Sequence, residues 1–388
     1  VVGRSTQFWW THAPAFAGRI TPALGIVLRD GAYIRAVPVL GATAPPAAIL
    51  IGFVFGWRHP LQSDLFTSSL LVMLVGLLIG CFSAAVGAWF VLGYSIGDIF
   101  LGARGEAFLG PISNSWKTWV ALILADGIFA ILVVLIPLTA RFLAGEVYTR
   151  WFPDRARMLT IPTGAAGAAL LVFAWSQSAI VLTRPYFSWH DLAPSPAEIE
   201  ALPKAAWVLP LIAAAGVVAR YVLEDRLRSR APELAPLPEA ARPRKAPAPV
   251  SIAWRVALSV FLLAGLMEFW IDPIVVAIVM VLLVVVREPA LQRFEETLSP
   301  LMRLPVLPRL AAGAAISAII AIILISALGS VTAARPVVIS TLVSLIVLSV
   351  LLPDHVLEKS GKSHETHATT APSSPTPQPP APAAPPTV

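Results

Sequence analysis

Residues 119–138 read WVALILADGIFAILVVLIPL, a run whose only charged side chain is Asp126. A helix of about twenty such residues matches a hydrocarbon core about 30 Å thick and satisfies its own backbone without water. Comparable apolar runs recur along the 388 residues, 57% of which are hydrophobic and 13% charged, against about 25% charged in a soluble domain. A soluble fold of this size could not bury that much apolar surface.

From residue 60 onward the runs give eight spans, at roughly 66–94, 117–140, 160–183, 205–222, 253–270, 273–286, 309–329 and 336–352. Pro273 beside Asp272 makes the fifth and sixth a tight hairpin, because proline removes a backbone donor and aspartate resists burial. The expected architecture is all-α, a polytopic transmembrane helix bundle of about eight spans with an additional N-terminal apolar segment. That segment, 37–57, carries Pro45 and Pro46 in its first half, which would break a regular helix. It is expected to be re-entrant or a ninth span, with the non-spanning form preferred.

Positive charge supports that preference. The basic residues fall in blocks between apolar runs, so the net charge of +6 reads as topology and not as nucleic-acid binding. With eight spans and both termini on the cytoplasmic side, Arg104, Lys117, Arg184, Lys204 and Arg335 are the only outer members of the 28 Lys and Arg. A crossing at 37–57 would place Arg4, Arg19, Arg29 and Arg35 outside as well.

The expected division is a basic N-terminal segment (1–58), a four-span half (59–222), a Pro- and Arg-rich cytoplasmic linker (223–250), a second four-span half (251–353) and a disordered Pro-rich tail (354–388). Ala-Ala-Gly-Ala-Ala recurs at 165–169 and 311–315, which an internal duplication would explain and an alanine-rich composition explains as well. The chain starts at Val1 without a leader pattern, so a trimmed or partial N-terminus is expected.

The motifs that usually carry chemistry are missing. No phosphate-binding Gly-rich loop, dinucleotide turn, nucleophile elbow or His-Glu-x-x-His helix occurs, and all six histidines lie outside the spans. No cofactor, metal or catalytic residue is therefore expected. His190 and Asp191 adjoin in an outer aromatic loop and read as surface residues, as do Glu268 and Asp272. Cys81 stands alone, so no disulfide forms within the chain.

Four polar residues fall inside spans. Asp126 is either a packing carboxylate or a proton or cation relay, and Ser176, Gln177 and Ser178 either bond neighbouring helices or line a polar path. Gly76, Gly80, Ala84 and Gly87 lie nearly on one stripe and allow close helix packing. Leu291, Phe294 and Leu298 mark a short amphipathic connector.

These features point to a non-enzymatic multi-span subunit that organises a larger membrane assembly. The alternative is a small-solute or ion transporter or channel using Asp126. Expected partners are the lipid bilayer, other membrane subunits or further copies of the chain, and a protein that reads the Pro-rich tail. The expected location is the bacterial inner membrane.

Overall fold

A computed structural model describes residues 2–20, 22–58, 70–101, 126–151, 156–188 and 207–230, with scattered residues between 278 and 326. Apart from those scattered residues, the second four-span half, the linker beyond Arg230 and the tail lie outside the described residues. Among the described residues all regular structure is helical. Three helices are long and apolar enough to cross a membrane, Pro38–Trp57, Asp126–Gly145 and Leu159–Ala179.

The elements are α1 (Val2–Gln7), a π turn (Phe8–His12), α2 (Ala13–Ile20), α3 (Pro22–Val27), a 3-10 turn (Ala32–Ala36) and α4 (Pro38–Trp57). There follow α5 (Leu70–Phe82), α6 (Ala84–Phe100), a second π turn (Ile131–Leu135) running into α7 (Ile136–Trp151), α8 (Ala156–Ser188) and α9 (Val208–Arg230). The helix expected to stop near residue 140 thus continues through Arg141, and α9 carries helix past residue 222.

Two expectations are corrected. Pro45 and Pro46 do not break α4. Proline at position i leaves the carbonyl at i−4 without its helical donor, here Gly41 and Ala42. The Trp10 indole N–H donates to the Gly41 carbonyl at 2.8 Å, and the Ser5 hydroxyl donates to the Ala42 carbonyl at 3.2 Å. The N-terminal helix replaces both lost bonds, so a regular 20-residue helix survives.

The second correction concerns 66–94, expected as one span. It breaks at Ser83, whose backbone is extended (φ −157°, ψ 117°). A side-chain carbon at Gly87 would lie 3.0 Å from Gly80 Cα, and one at Gly76 would lie 3.0 Å from the Phe90 ring. Residues seven apart in a continuous helix are separated by about 10 Å, so α5 and α6 fold back on each other as a hairpin with its tip at Ser83. The described part of α5 is 13 residues, about 20 Å along the helix axis.

α4 and α6 run parallel: Gly52 backs onto the Phe90 carbonyl and Gly56 onto that of Tyr94, while Gly93 backs onto Ile49 and Gly97 onto Phe53. Two Gly-x-x-x-Gly faces thus meet backbone to backbone. α4 leaves the end of the bundle where Asp30 lies, α5 returns to it, and α6 leaves again. Arg29 and Arg35 thus lie near the end of α4 where Asp30 lies, and Arg58 at the opposite end.

The remaining helices complete the packing. Gly164 and Gly167 of α8 face Ala144 and Ala140, and the Trp175 indole donates to the Ile128 carbonyl at 3.1 Å, so α8 runs antiparallel to the Asp126–Gly145 span. α9 lies against α5, where Gly216 meets Cys81. Leu50, Ile51 and Val54 leave the outer face of α4 exposed and apolar, as a lipid-facing surface requires.

Candidate functional site: a charged cluster at the broken helix

Breaking a helix exposes carbonyls at one end and N–H groups at the other, and in an apolar bundle each unsatisfied group costs several kcal/mol. At the α5–α6 tip both sets are satisfied by side chains. Arg141 donates through Nη1 to the Cys81 carbonyl at 2.8 Å, and Arg220 through Nη1 to that of Phe82 at 3.0 Å. The Tyr33 hydroxyl also donates to the Phe82 carbonyl, at 2.7 Å. Cations therefore sit at the negative end of α5.

The start of α6 carries the opposite charge. Ser83 caps it, its Oγ accepting from the Val86 N–H at 3.2 Å while donating to the Asp30 carbonyl at 2.8 Å. The Asp30 carboxylate accepts the Ala84 N–H at 2.7 Å. Gly31, with φ 88°, brings this turn against Ser83, where any side-chain carbon would collide with the hydroxyl.

Asp30 is also the shared anion of both arginines. Arg141 Nη2 reaches its Oδ2 at 2.6 Å, while Arg220 takes Oδ2 through Nη1 at 2.8 Å and Oδ1 through Nη2 at 2.7 Å. The Arg220 contact is the two-pronged guanidinium–carboxylate pairing. Both arginines are buried, at 7% and 5% exposure. Arg220 also lies 5.4 Å over the Tyr33 ring and 3.4 Å, through Nε, from Glu224.

Burial alone would raise the Asp30 pKa, but Arg220 and Arg141, with hydrogen bonds from Arg220 and Ala84, more than reverse it. Asp30 is thus held below the usual carboxylate range. Tyr33 moves the other way, its hydroxyl pushed up to about 12 chiefly by burial, which keeps it a donor.

The residues singled out in the sequence lie elsewhere. Asp126 is buried, about 22 Å along the helix from Arg141. Ser176 is buried and donates to the Phe173 carbonyl at 2.8 Å, Ser178 donates to that of Ala174 at 2.7 Å, and Gln177 is exposed. Both hydroxyls bond back into their own helix. Gly76, Gly80 and Gly87 surround Val133, with Gly80 directly on its carbonyl, and Ala84 opens α6 inside the charged cluster. Pro137 has no N–H to give that carbonyl, so Gly80 occupies the gap.

Sequence reading missed Asp30 and counted Arg141 and Arg220 only among the basic blocks that orient the chain. It also missed Asp98, fully buried on α6 one turn beyond Tyr94, whose ring lies 5.2 Å from that of Phe129. That register puts Asp98 at the same end of the bundle as Asp126. Among the described residues no group of three His, Cys, Asp or Glu comes together to hold a metal ion. No protein-family model matches the chain, and no significant match is found among curated proteins or solved structures.

Proposed function

We propose that the protein moves a small solute across the membrane, with the α5–α6 hairpin as the element around which it works. The observation that carries this reading is the helix break at Ser83 with Asp30, Arg141 and Arg220 buried against it. Irregular backbone and charge inside an apolar bundle are costly, and membrane carriers place both where a solute is held between paired half-helices. In this reading the four apolar runs between 253 and 352 add four further spans, both ends face the cytoplasm of a bacterial inner membrane, and the Pro-rich tail meets a protein partner.

The test is uptake by proteoliposomes of a panel of radiolabelled organic acids, amino acids, sugars and phosphate, with and without a pH gradient. Accumulation above protein-free liposomes for one class, lost in Arg220→Gln protein of equal folded yield, supports transport. No uptake of any class by folded protein rejects it.

A second reading, a scaffolding subunit, is supported by the saturation of the Asp30 carboxylate by donors within the chain, as a permanent staple requires. Companion subunits co-purifying at fixed ratio, together with absent uptake, would favour it.

A further inference from the structure

We propose that the seat occupied by the Asp30 carboxylate is an oxyanion-binding site, that Asp30 is its resident ligand, and that a carboxylate or phosphate group of the solute exchanges with it. This rests on the transport reading and names the chemical class of its solute.

The seat is built without Asp30. Its donors come from three separate elements: the Ala84 N–H at the start of α6, Arg141 on α7, and Arg220 on α9. They converge on one oxyanion at 2.6–2.8 Å, with the Arg220 fork spanning both of its oxygens. A helix N-terminus flanked by two guanidiniums suits any carboxylate or phosphate.

The anion is carried on a turn and not on one of the long helices. Arg29 and Asp30 donate backbone bonds to Ile26 and Val27, so the turn is closed on itself. It meets the hairpin through the Asp30 side chain, the Ser83 hydroxyl and, just beyond, the Tyr33 hydroxyl on the Phe82 carbonyl. Moving it breaks no inter-helix backbone ladder.

Charge dictates how it can move. Withdrawing Asp30 alone would leave two buried guanidiniums facing each other, and stripping a buried ion pair of one partner is strongly destabilising. Replacing it with another oxyanion avoids that cost. Opening of the tip is therefore coupled to anion entry, and the α5 carbonyls held by the same arginines change partners with it.

Purified full-length Asp30→Ala protein tests the site, with reaction of a thiol dye at the buried Cys81 reporting unfolding. Acetate, formate or inorganic phosphate should restore its lost melting temperature saturably, while chloride at matched ionic strength should not. In the wild-type protein the same anions should raise, saturably, the native-state rate of Cys81 labelling. This second measurement decides should the variant not fold. Absence of rescue, or rescue of the variant with wild-type labelling unchanged, overturns the proposal and leaves Asp30 a permanent staple. Rescue only in phosphatidylglycerol nanodiscs, and not by free anions, assigns the oxyanion to a lipid headgroup and overturns the solute. Neither readout needs flux, so anion exchange without uptake would sink transport while leaving the site intact.

Discussion

Trp10 donates its indole N–H to the Gly41 carbonyl, the acceptor that Pro45 leaves without a helical partner. The bond explains how a helix with two consecutive prolines stays regular, and it makes a coupled pair of predictions. Trp10→Phe should destabilise the protein by about 1–3 kcal/mol, because a buried carbonyl loses its donor. In a Pro45→Ala background the new N–H at 45 serves the same carbonyl, so the loss should shrink markedly. Equal losses in both backgrounds, measured by Cys81 dye reaction during melting, would show that Trp10 acts through packing alone.

The hairpin at Ser83 reverses the chain, so with α4 as a span the 59–69 connection is expected on the side of the membrane opposite Asp30. With Cys81 replaced by Ala, a cysteine at Ser63 should react with an impermeant thiol reagent in intact cells, and one at Ser229 should not. Were 66–94 a single crossing and 37–57 non-spanning, both positions would share a side. Identical labelling of the two would therefore reject the folded-back hairpin.

Much of this architecture is legible in the sequence, because hydropathy over about twenty residues reports a span almost independently of its neighbours. The all-helical class and the spans within 126–179 follow from it. The healed prolines and the charged cluster do not. Trp10 and Gly41 are 31 residues apart, Asp30 and Arg141 are 111 apart, and Asp30 and Arg220 are 190 apart. A local rule correctly says that Pro45 and Pro46 remove two bonds but cannot see who restores them. Charge counting likewise places Arg141 and Arg220 at one end of their helices without showing that they turn inward. One available signal was Asp30 itself, the first acidic residue in a chain that has already passed Arg4, Arg19 and Arg29.

Gly80 and Gly127 lie in apolar runs of similar composition yet should respond oppositely to alanine. A side-chain carbon at Gly80 falls on the Val133 carbonyl, and backbone cannot step aside as a flexible side chain would. Gly80→Ala should cost about 1–3 kcal/mol or more through overpacking. Among the described residues nothing lies within 4 Å of that position at Gly127, so Gly127→Ala should be neutral or stabilising by up to about 1 kcal/mol through helix propensity. Equal melting temperatures for the two variants would contradict the α5 packing described above.

The last prediction concerns acid. Asp30 is held below its ordinary pKa because Arg220 and Arg141 outweigh the effect of its burial. Its folded-state pKa thus lies below the unfolded value of about 3.9, and the sign of the linkage follows. The stability it supplies is fully present above the unfolded pKa and is lost only as pH falls through the folded one. Asp30→Asn removes the charge at every pH, leaving two buried guanidiniums without the anion they share, at a cost of about 3–5 kcal/mol. The gap in melting temperature between wild type and Asp30→Asn should therefore stay flat from about pH 8 to about pH 5 and close only below about pH 4. Other carboxylates titrate in both proteins, so the difference isolates Asp30. A gap that already narrows between about pH 7 and about pH 5 would mean that burial wins, that Asp30 takes up a proton within the bundle, and that the two arginines do not hold it as an anion.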